Sequence, residues 1–470
     1  MNQVARTFLL VGLVVVILFA MRFLPTIYLG DNELRRVNIL SDLLPETLNE
    51  TDSTEVLDIP EPPSSVPDTV LVYDSIEGLD TVIPRMIQPQ TTPEGVTMIA
   101  DYGQGHPGGM HHFYQQLSRV KELNRPVRIA YFGDSFVEGD ILSCDLREQL
   151  QTQFGGSGVG WVDCASQVNG FRQTVRHSFE GLREYEVVKR PFNTQVQSIA
   201  QRYFTIDGDR ATFVYQGSKS RKHLTDWQNA TFFFRTQDSM TVATKINRDT
   251  LVYDVIYGDG QLQTFTKHHP SMHKIIYSVS DASPKTFLYG VALESNQGVI
   301  VDNFSMRGSS GVPLGRIPSG VLREFAAQRP YDLIIFHFGL NVVDEHVRNY
   351  KTYTQQMGAV IRHFKAAYPQ TSILVVSMTD RDQRSMEGIH TIAGVESLVG
   401  YQQIMAANEQ VAFFNLYQAM GGRESMKTLV DKGFANKDYT HISFAGGRRL
   451  ATHLVESILA GFDIFKQQQP

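Results

Sequence analysis

Three side chains of this chain have the types and spacing needed to break an ester bond by acyl transfer. Ser135 ends the tripeptide Gly133-Asp134-Ser135, and Asp438 and His441 lie three residues apart near the C-terminus. A serine hydroxyl becomes a nucleophile when an imidazole takes its proton, and a carboxylate fixes the tautomer of that imidazole. We therefore predict Ser135 as the nucleophile, His441 as the general base and Asp438 as the group that orients His441.

Acyl transfer also requires fixed hydrogen-bond donors for the oxyanion that forms in the transition state. Gly308 lies in the segment NFSMRGSSG, and Asn341 ends the tripeptide Gly339-Leu340-Asn341. We predict an oxyanion hole made by the backbone N–H groups of Ser135 and Gly308 and by the side-chain amide of Asn341. Asp134 and His337 are candidates for the pocket lining, and a packed position in the core is the alternative for His337.

These residues lie at the ends of predicted strands and helices. The apolar runs at 127–132, 332–339 and 372–378 are typical of buried parallel strands, and Ser135 and Asn341 follow two of them directly. In α/β folds the carboxyl ends of such strands are where the chemistry is done. Between and after these strands, helical periodicity is predicted near 109–124, 141–154, 350–367, 395–409 and 444–460.

The pattern changes between 177 and 295. This stretch consists of short β-branched and aromatic runs separated by turn residues, which is typical of a β-sandwich. Gly258-Asp259-Gly260 within it is predicted to turn a hairpin. The sequence thus predicts an α/β domain in two parts, 106–176 and 296–470, interrupted by an inserted β domain over 177–295.

The N-terminal 105 residues are predicted to be an anchor and a tether. Residues 8–29 contain one charge, Arg22, and would form about 33 Å of helix, enough to span a bilayer. We predict a membrane anchor over 1–30, with a cleaved signal peptide as the alternative. Residues 31–105 hold 15 Asp and Glu, 3 Arg and eight of the nineteen prolines, which predicts an extended acidic linker.

The composition of the whole chain excludes several classes of protein. With 43 Lys and Arg against 49 Asp and Glu, it lacks the basic footprint of a general nucleic-acid-binding protein. Its two cysteines, Cys144 and Cys164, are too few for a disulfide scaffold, and their pairing is left open. No metal or other cofactor is predicted, because the clustered histidines near 268–273 have no acidic or cysteine partner at fixed spacing.

The order of these motifs resembles that of the SGNH (GDSL-type) hydrolase family. The four residues that name the family correspond here to Ser135, Gly308, Asn341 and His441. The resemblance covers about 106–176 and 296–465, and the chain departs from the family pattern at Phe136 and at Val342. It implies a flavodoxin-like, three-layer α/β domain with a parallel sheet.

The inserted β domain makes the chain most similar to the peptidoglycan O-acetylesterase branch of this family, in which a carbohydrate-binding-type module interrupts the hydrolase domain. In that branch the insertion helps to form the substrate groove. Four aromatic residues of the insertion are therefore candidates for stacking on sugars, with the sandwich core as the alternative for each: Trp227, Tyr253, Tyr257 and Tyr289.

The resemblance implies a membrane-anchored serine esterase whose folded part lies outside the cytoplasm and removes O-acetyl groups from an envelope glycan, first of all peptidoglycan. Its expected partners are the O-acetylated glycan and, through the N-terminal helix, the membrane. Two alternatives stay open. An SGNH domain beside a membrane acyl donor can pass an acyl group to a sugar hydroxyl, and a glycan-binding envelope protein could carry the same fold without catalysis.

Overall fold

The computed structural model describes residues 93–103, 108–386 and 388–468, and outside these ranges only four short strands. The predicted anchor over 1–30, apart from the short strand Tyr28–Leu29, and most of the predicted linker over 31–105 lie outside the described residues, and both stay predictions. Within the described part of the chain, no helix is long and apolar enough to cross a membrane.

A parallel sheet forms the centre of the α/β domain. Two of its central strands, Leu333–His337 and Ser372–Val376, are mostly apolar and buried at every position, because both faces of the sheet are covered. A sixth strand, Ala100–Asp101, pairs antiparallel at one edge. The five parallel strands, in spatial order, are Val299–Ser305, Val127–Gly133, Leu333–His337, Ser372–Val376 and Ala412–Phe414.

Helices cover both faces of this sheet. Along the strand Val127–Gly133, Phe132 packs in the core on one face and Tyr131 in the core on the other, as the alternation of a strand requires. The predicted α/β fold with a parallel sheet is confirmed. The helices on the Phe132 face are Ser319–Gln328, Lys351–Ala367 and Gly394–Asn408, and those on the Tyr131 face are His111–Ser118, Ser143–Phe154, Leu416–Ala419, Ser425–Asp431 and Phe444–Gln467.

The inserted domain consists of two antiparallel sheets that share one apolar core. Phe213 of one sheet packs on Phe232 of the other with ring centroids 5.2 Å apart. One sheet contains Gly160–Asp163, Leu182–Glu186, Arg202–Ile206, Trp227–Arg235, Leu262–Met272 and Phe287–Glu294. The other contains Val175–Glu180, Arg210–Gly217, Ser239–Ile246, Val252–Tyr257 and Lys274–Ser280.

Three predicted boundaries and turns need correction. The end of the linker was predicted at 105, but Ala100–Asp101 already belongs to the parallel sheet. The sandwich begins before 177, because Gly160–Asp163 pairs with Phe287–Glu294. Gly258-Asp259-Gly260 does not turn a hairpin. The strands on its two sides pair in different sheets, so the segment passes from one sheet of the sandwich to the other.

A buried ionic network joins the sandwich to the parallel sheet. The Arg329 guanidinium donates to Asp302 at 2.6 Å and to Glu294 at 2.8 Å, and Arg128 donates to Glu294 at 2.6 Å. Glu294 ends a sandwich strand, whereas Asp302 and Arg128 lie on strands of the parallel sheet. Because each buried charge has a charged partner, the network fixes the sandwich on the domain that carries the site.

Candidate active site

The predicted nucleophile begins the segment that follows the strand Val127–Gly133. Residues Ser135–Asp140, called here the nucleophile segment, begin as a short 3-10 helix that is kinked at Glu138 and Gly139, where the backbone is not helical. Asp134 precedes this helix in an extended conformation, and its carboxylate accepts the Phe136 backbone N–H at 2.9 Å. This cap starts the turn directly after the strand and places Ser135 at the carboxyl end of the sheet.

Ser135, His441 and Asp438 form one hydrogen-bonded series. Ser135 Oγ lies 3.0 Å from His441 Nε2, and His441 Nδ1 lies 2.9 Å from Asp438 Oδ2. These distances are those at which a base can take a serine proton while a carboxylate fixes its tautomer. The structure therefore brings together the three residues that the sequence predicted as a triad.

A compact loop holds the acid and the base of this series. Its turn contains Tyr439 in the left-handed conformation, with φ +54, and Asn436 donates its backbone N–H to the His441 carbonyl at 2.7 Å. Ser443 then caps the helix Phe444–Gln467 by accepting the Gly446 N–H. The loop is thus fixed at both ends, and it holds His441 Nε2 within hydrogen-bond distance of Ser135 Oγ.

The environment of Asp438 keeps its carboxylate ionised. Burial raises the pKa of Asp438, but hydrogen bonds from His441 and from the Thr440 backbone N–H lower it by more. The resulting pKa lies below the ordinary value for aspartate. Asp438 is therefore an anion at neutral pH, and it can stabilise the imidazolium that forms when His441 takes a proton.

The predicted oxyanion donors all follow strands of the parallel sheet: Ser135 follows Val127–Gly133, Gly308 follows Val299–Ser305 and Asn341 follows Leu333–His337. The backbone N–H groups of Ser135 and Gly308 donate to no acceptor within the residues that the structure describes. Gly308 has φ +74 and open space where a Cβ would lie, and the Asn341 amide donates to the Ser309 carbonyl at 3.1 Å. This contact positions Asn341 beside the Gly308 loop, so the arrangement suits stabilisation of an oxyanion.

Both predicted pocket-lining residues are buried. Asp134 is buried beneath the nucleophile segment, and burial raises its pKa to about 6. His337 is buried between Phe136 and Tyr131, whose hydroxyl lies 3.0 Å from His337 Nδ1. Burial lowers the pKa of His337 to about 3, so its ring is neutral. The packed alternative is correct for His337, because its strand position points into the core.

The segment Asp380-Arg381-Asp382 supports the site and was not recognised in the sequence. Arg381 donates to the Leu340 carbonyl at 3.1 Å, next to Asn341, and Asp382 donates its backbone N–H to the Tyr439 carbonyl at 3.1 Å. One segment thus contacts both the loop that carries Asn341 and the loop that carries Asp438 and His441. Its position after the strand Ser372–Val376 was the signal that could have revealed it.

The four aromatic candidates of the insertion divide into two pairs. Trp227 and Tyr289 are buried in the sandwich, so stacking on a sugar is excluded for them. Tyr253 and Tyr257 are 67% and 77% exposed on the edge strand Val252–Tyr257. They are free to contact a ligand, but they lie on a different sheet from the strands that meet the α/β domain.

A polar cleft of about 430 Å³ lies between the sandwich and the α/β domain, beside the nucleophile segment. Arg307, next to Gly308, forms an ion pair with Glu138 at its rim. Such carboxylates and guanidinium groups can hydrogen-bond the hydroxyls of a sugar. Other polar residues that line the cleft are Asp163, Gln167, Lys189, Arg202, Asn303 and Ser305.

The remaining sequence candidates do not contribute to this site. Cys144 and Cys164 are both buried, free thiols, which settles their pairing for this structure. Among the described residues, no group of three or more His, Cys, Asp or Glu side chains is arranged to hold a metal ion.

The α/β domain with an inserted sandwich, together with this arrangement of residues, agrees with the resemblance to SGNH-type hydrolases. A solved structure described as a peptidoglycan O-acetylesterase in action has the same fold, with a TM-score of 0.62. The two chains are 20% identical, and the match covers 78% of this chain and 99% of the other. The resemblance inferred from the motifs is thus confirmed at the level of the fold.

Two further solved structures are more distant. A family two carbohydrate esterase from Cellvibrio japonicus matches with a TM-score of 0.25 and 9% identity over 62% of this chain and 99% of its own. A GDSL-like lipase from Parabacteroides merdae matches with a TM-score of 0.26 and 13% identity over 34% and 74%. No protein-family model and no curated protein matches the sequence.

Proposed function

We propose that this protein is a serine esterase that removes O-acetyl groups from a cell-envelope glycan, first of all peptidoglycan. The observation that carries the proposal is the series from Ser135 Oγ through His441 to Asp438, with unoccupied N–H donors of Ser135 and Gly308 beside it. The fold shared with a peptidoglycan O-acetylesterase supports the choice of substrate. So does the charge of the chain outside the linker, where Lys and Arg outnumber Asp and Glu by 40 to 34.

The reaction would proceed in two halves. Ser135 Oγ attacks the acetyl carbonyl while His441 takes its proton, and the N–H donors stabilise the oxyanion. The sugar oxygen then leaves with the proton from His441, and an acetyl ester of Ser135 remains. Water attacks this ester with His441 again as the base, so that acetate is released and Ser135 regains its proton.

We further propose that the folded part acts outside the cytoplasm, where an envelope glycan lies. The apolar run over 8–29 supports this location, since it is long enough to hold the protein at a membrane. The acidic, proline-rich residues between 31 and the strand Ala100–Asp101 would then separate the enzyme from the bilayer.

The test uses the purified full-length protein in mild detergent. Acetate release is measured from O-acetylated peptidoglycan, from the same polymer after alkaline de-acetylation and from an aryl acetate. We expect turnover on both acetylated substrates, no acetate from the de-acetylated polymer, and loss of at least about 10⁴-fold in kcat/KM for Ser135→Ala.

The matched control is Ser118→Ala, which removes an exposed serine at the end of a helix. It should keep the wild-type rate. Absence of Ser135-dependent acetate release from any substrate would contradict the esterase proposal. Formation of an acylated sugar in place of acetate, when a sugar acceptor is added, would assign the site to acyl transfer instead.

A further inference from the structure

A loop of the inserted sandwich reaches across to the nucleophile segment. It joins the strand Gly160–Asp163 of one sheet to the strand Val175–Glu180 of the other. Near its end lies Phe171, whose side chain is 51% exposed, whereas most aromatic residues of the sandwich are buried. An exposed phenylalanine beside a candidate active site requires an explanation.

A buried ionic cluster fixes this loop in place. Asp140, the last residue of the nucleophile segment, accepts hydrogen bonds from Arg172 at 2.9 Å and from the Thr174 hydroxyl at 2.6 Å. The same carboxylate is held by the fully buried Arg147, with two contacts of 3.1 Å. Both carboxylate oxygens of Asp140 accept hydrogen bonds, and Arg172 is one of the donors. Phe171, which precedes Arg172, is therefore held at a defined position.

The Phe171 ring spans the two segments that carry the triad. A Cβ added to Gly139 would lie 2.6 Å from the ring, and Gly139 is in the nucleophile segment, four residues after Ser135. On its other side, Phe171 packs on Phe444 with ring centroids 5.6 Å apart, and Phe444 is three residues after His441. The ring therefore contacts both the nucleophile segment and the first residue of the helix that follows His441. About half of the Phe171 side chain stays exposed to solvent.

We propose that Phe171 is a substrate-positioning residue that stacks on a sugar ring of the glycan next to the acetylated residue; this rests on the proposed esterase function. The C–H-rich face of a pyranose packs on an aromatic ring while its hydroxyls turn to polar groups. Such groups line a cavity to which Phe171 also contributes, among them Asn169, Arg172 and Arg176. A membrane-binding surface would instead present several apolar side chains together.

The experiment compares Phe171→Ala and Phe171→Trp with wild type in the full-length protein. The readout is the ratio of kcat/KM on O-acetylated peptidoglycan to kcat/KM on an aryl acetate, which has no neighbouring sugar ring. For Phe171→Ala this ratio should fall about tenfold, because the KM for the glycan rises. A tenfold change is the size expected for the loss of one aromatic contact. Phe171→Trp should restore it.

The matched control is Phe179→Ala, which removes another exposed phenylalanine of the same sandwich, one whose ring contacts His177. It should leave the ratio unchanged. An unchanged ratio for Phe171→Ala would overturn the inference, as would an equal loss on both substrates, since that indicates a structural role. Weaker binding to lipid vesicles with an unchanged ratio would assign Phe171 to the membrane. A wild-type protein inactive on both substrates would contradict the esterase proposal itself.

Discussion

Asp438 holds His441 at two points, through the imidazole and through the backbone. Its Oδ2 lies 2.9 Å from His441 Nδ1, and its Oδ1 accepts the His441 backbone N–H at 3.0 Å. The first contact selects the tautomer with the proton on Nδ1, which leaves Nε2 free to accept the Ser135 proton, and the second fixes the backbone of His441 relative to the Asp438 carboxylate. The spacing of three residues thus lets one short loop supply both the base and its orienting carboxylate.

Asp438→Asn should therefore inactivate the site without unfolding it. The amide keeps the shape of the side chain, but it loses the negative charge and favours the wrong tautomer of His441. We expect kcat/KM on an aryl acetate to fall by about 10³- to 10⁴-fold. The control is Asp431→Asn, at the exposed end of the helix Ser425–Asp431, which should behave as wild type. Equal activity of Asp438→Asn and wild type would remove Asp438 from the mechanism.

Asn341 is expected to act on the transition state rather than on substrate binding. Its side-chain amide donates to the Ser309 carbonyl, next to Gly308. We expect the amide to donate from there to the developing oxyanion. Asn341→Ala should lower kcat by about 10²- to 10³-fold and change KM little. The measurement is steady-state hydrolysis of an aryl acetate, with Asn349→Ala, which alters an exposed asparagine beside the helix Lys351–Ala367, as the control. A rise in KM at constant kcat would argue against an oxyanion role.

The sequence predicted those parts of the site that depend on local pattern. Ser135 and Asn341 follow apolar runs that are typical of buried strands, and parallel strands bring their carboxyl ends together. Asp438 and His441 are close in the chain, so their pairing needed no long-range information. The fold class followed from the same runs and from the change of pattern at the insertion.

The parts that the sequence did not predict depend on distant partners. The face to which His337 points is set by the register of its strand, which a short apolar run does not reveal. Gly258-Asp259-Gly260 has the composition of a hairpin turn, yet its flanking strands find partners in separate sheets. Phe171 belongs to no motif, and only the contact of its loop with Asp140 brings it to the site.

Asp380 begins the segment Asp380-Arg381-Asp382, which contacts the loops that carry Asn341 and His441. Its side chain is fully buried, and its Oδ1 has no hydrogen-bond partner among the described residues. Burial, with the neighbouring Asp382 carboxylate, raises the pKa of Asp380 to about 7. In the unfolded chain the pKa is near 3.8, so between these values the folded state binds more protons, and stability falls as pH rises.

Asp380→Asn should abolish this loss, because the amide cannot ionise. At pH 4 the variant and wild type should unfold at similar temperatures, and the variant should become the more stable of the two as the pH rises to 8. Thermal unfolding from pH 4 to pH 8 measures the difference. Asp332→Asn is the contrasting control: burial raises the pKa of Asp332, but its ion pair with Arg125 lowers it by more. That carboxylate stabilises the fold above pH 4, so its replacement should destabilise the protein at pH 8. A Tm difference for Asp380→Asn that does not grow with pH would show that Asp380 is not the ionising group.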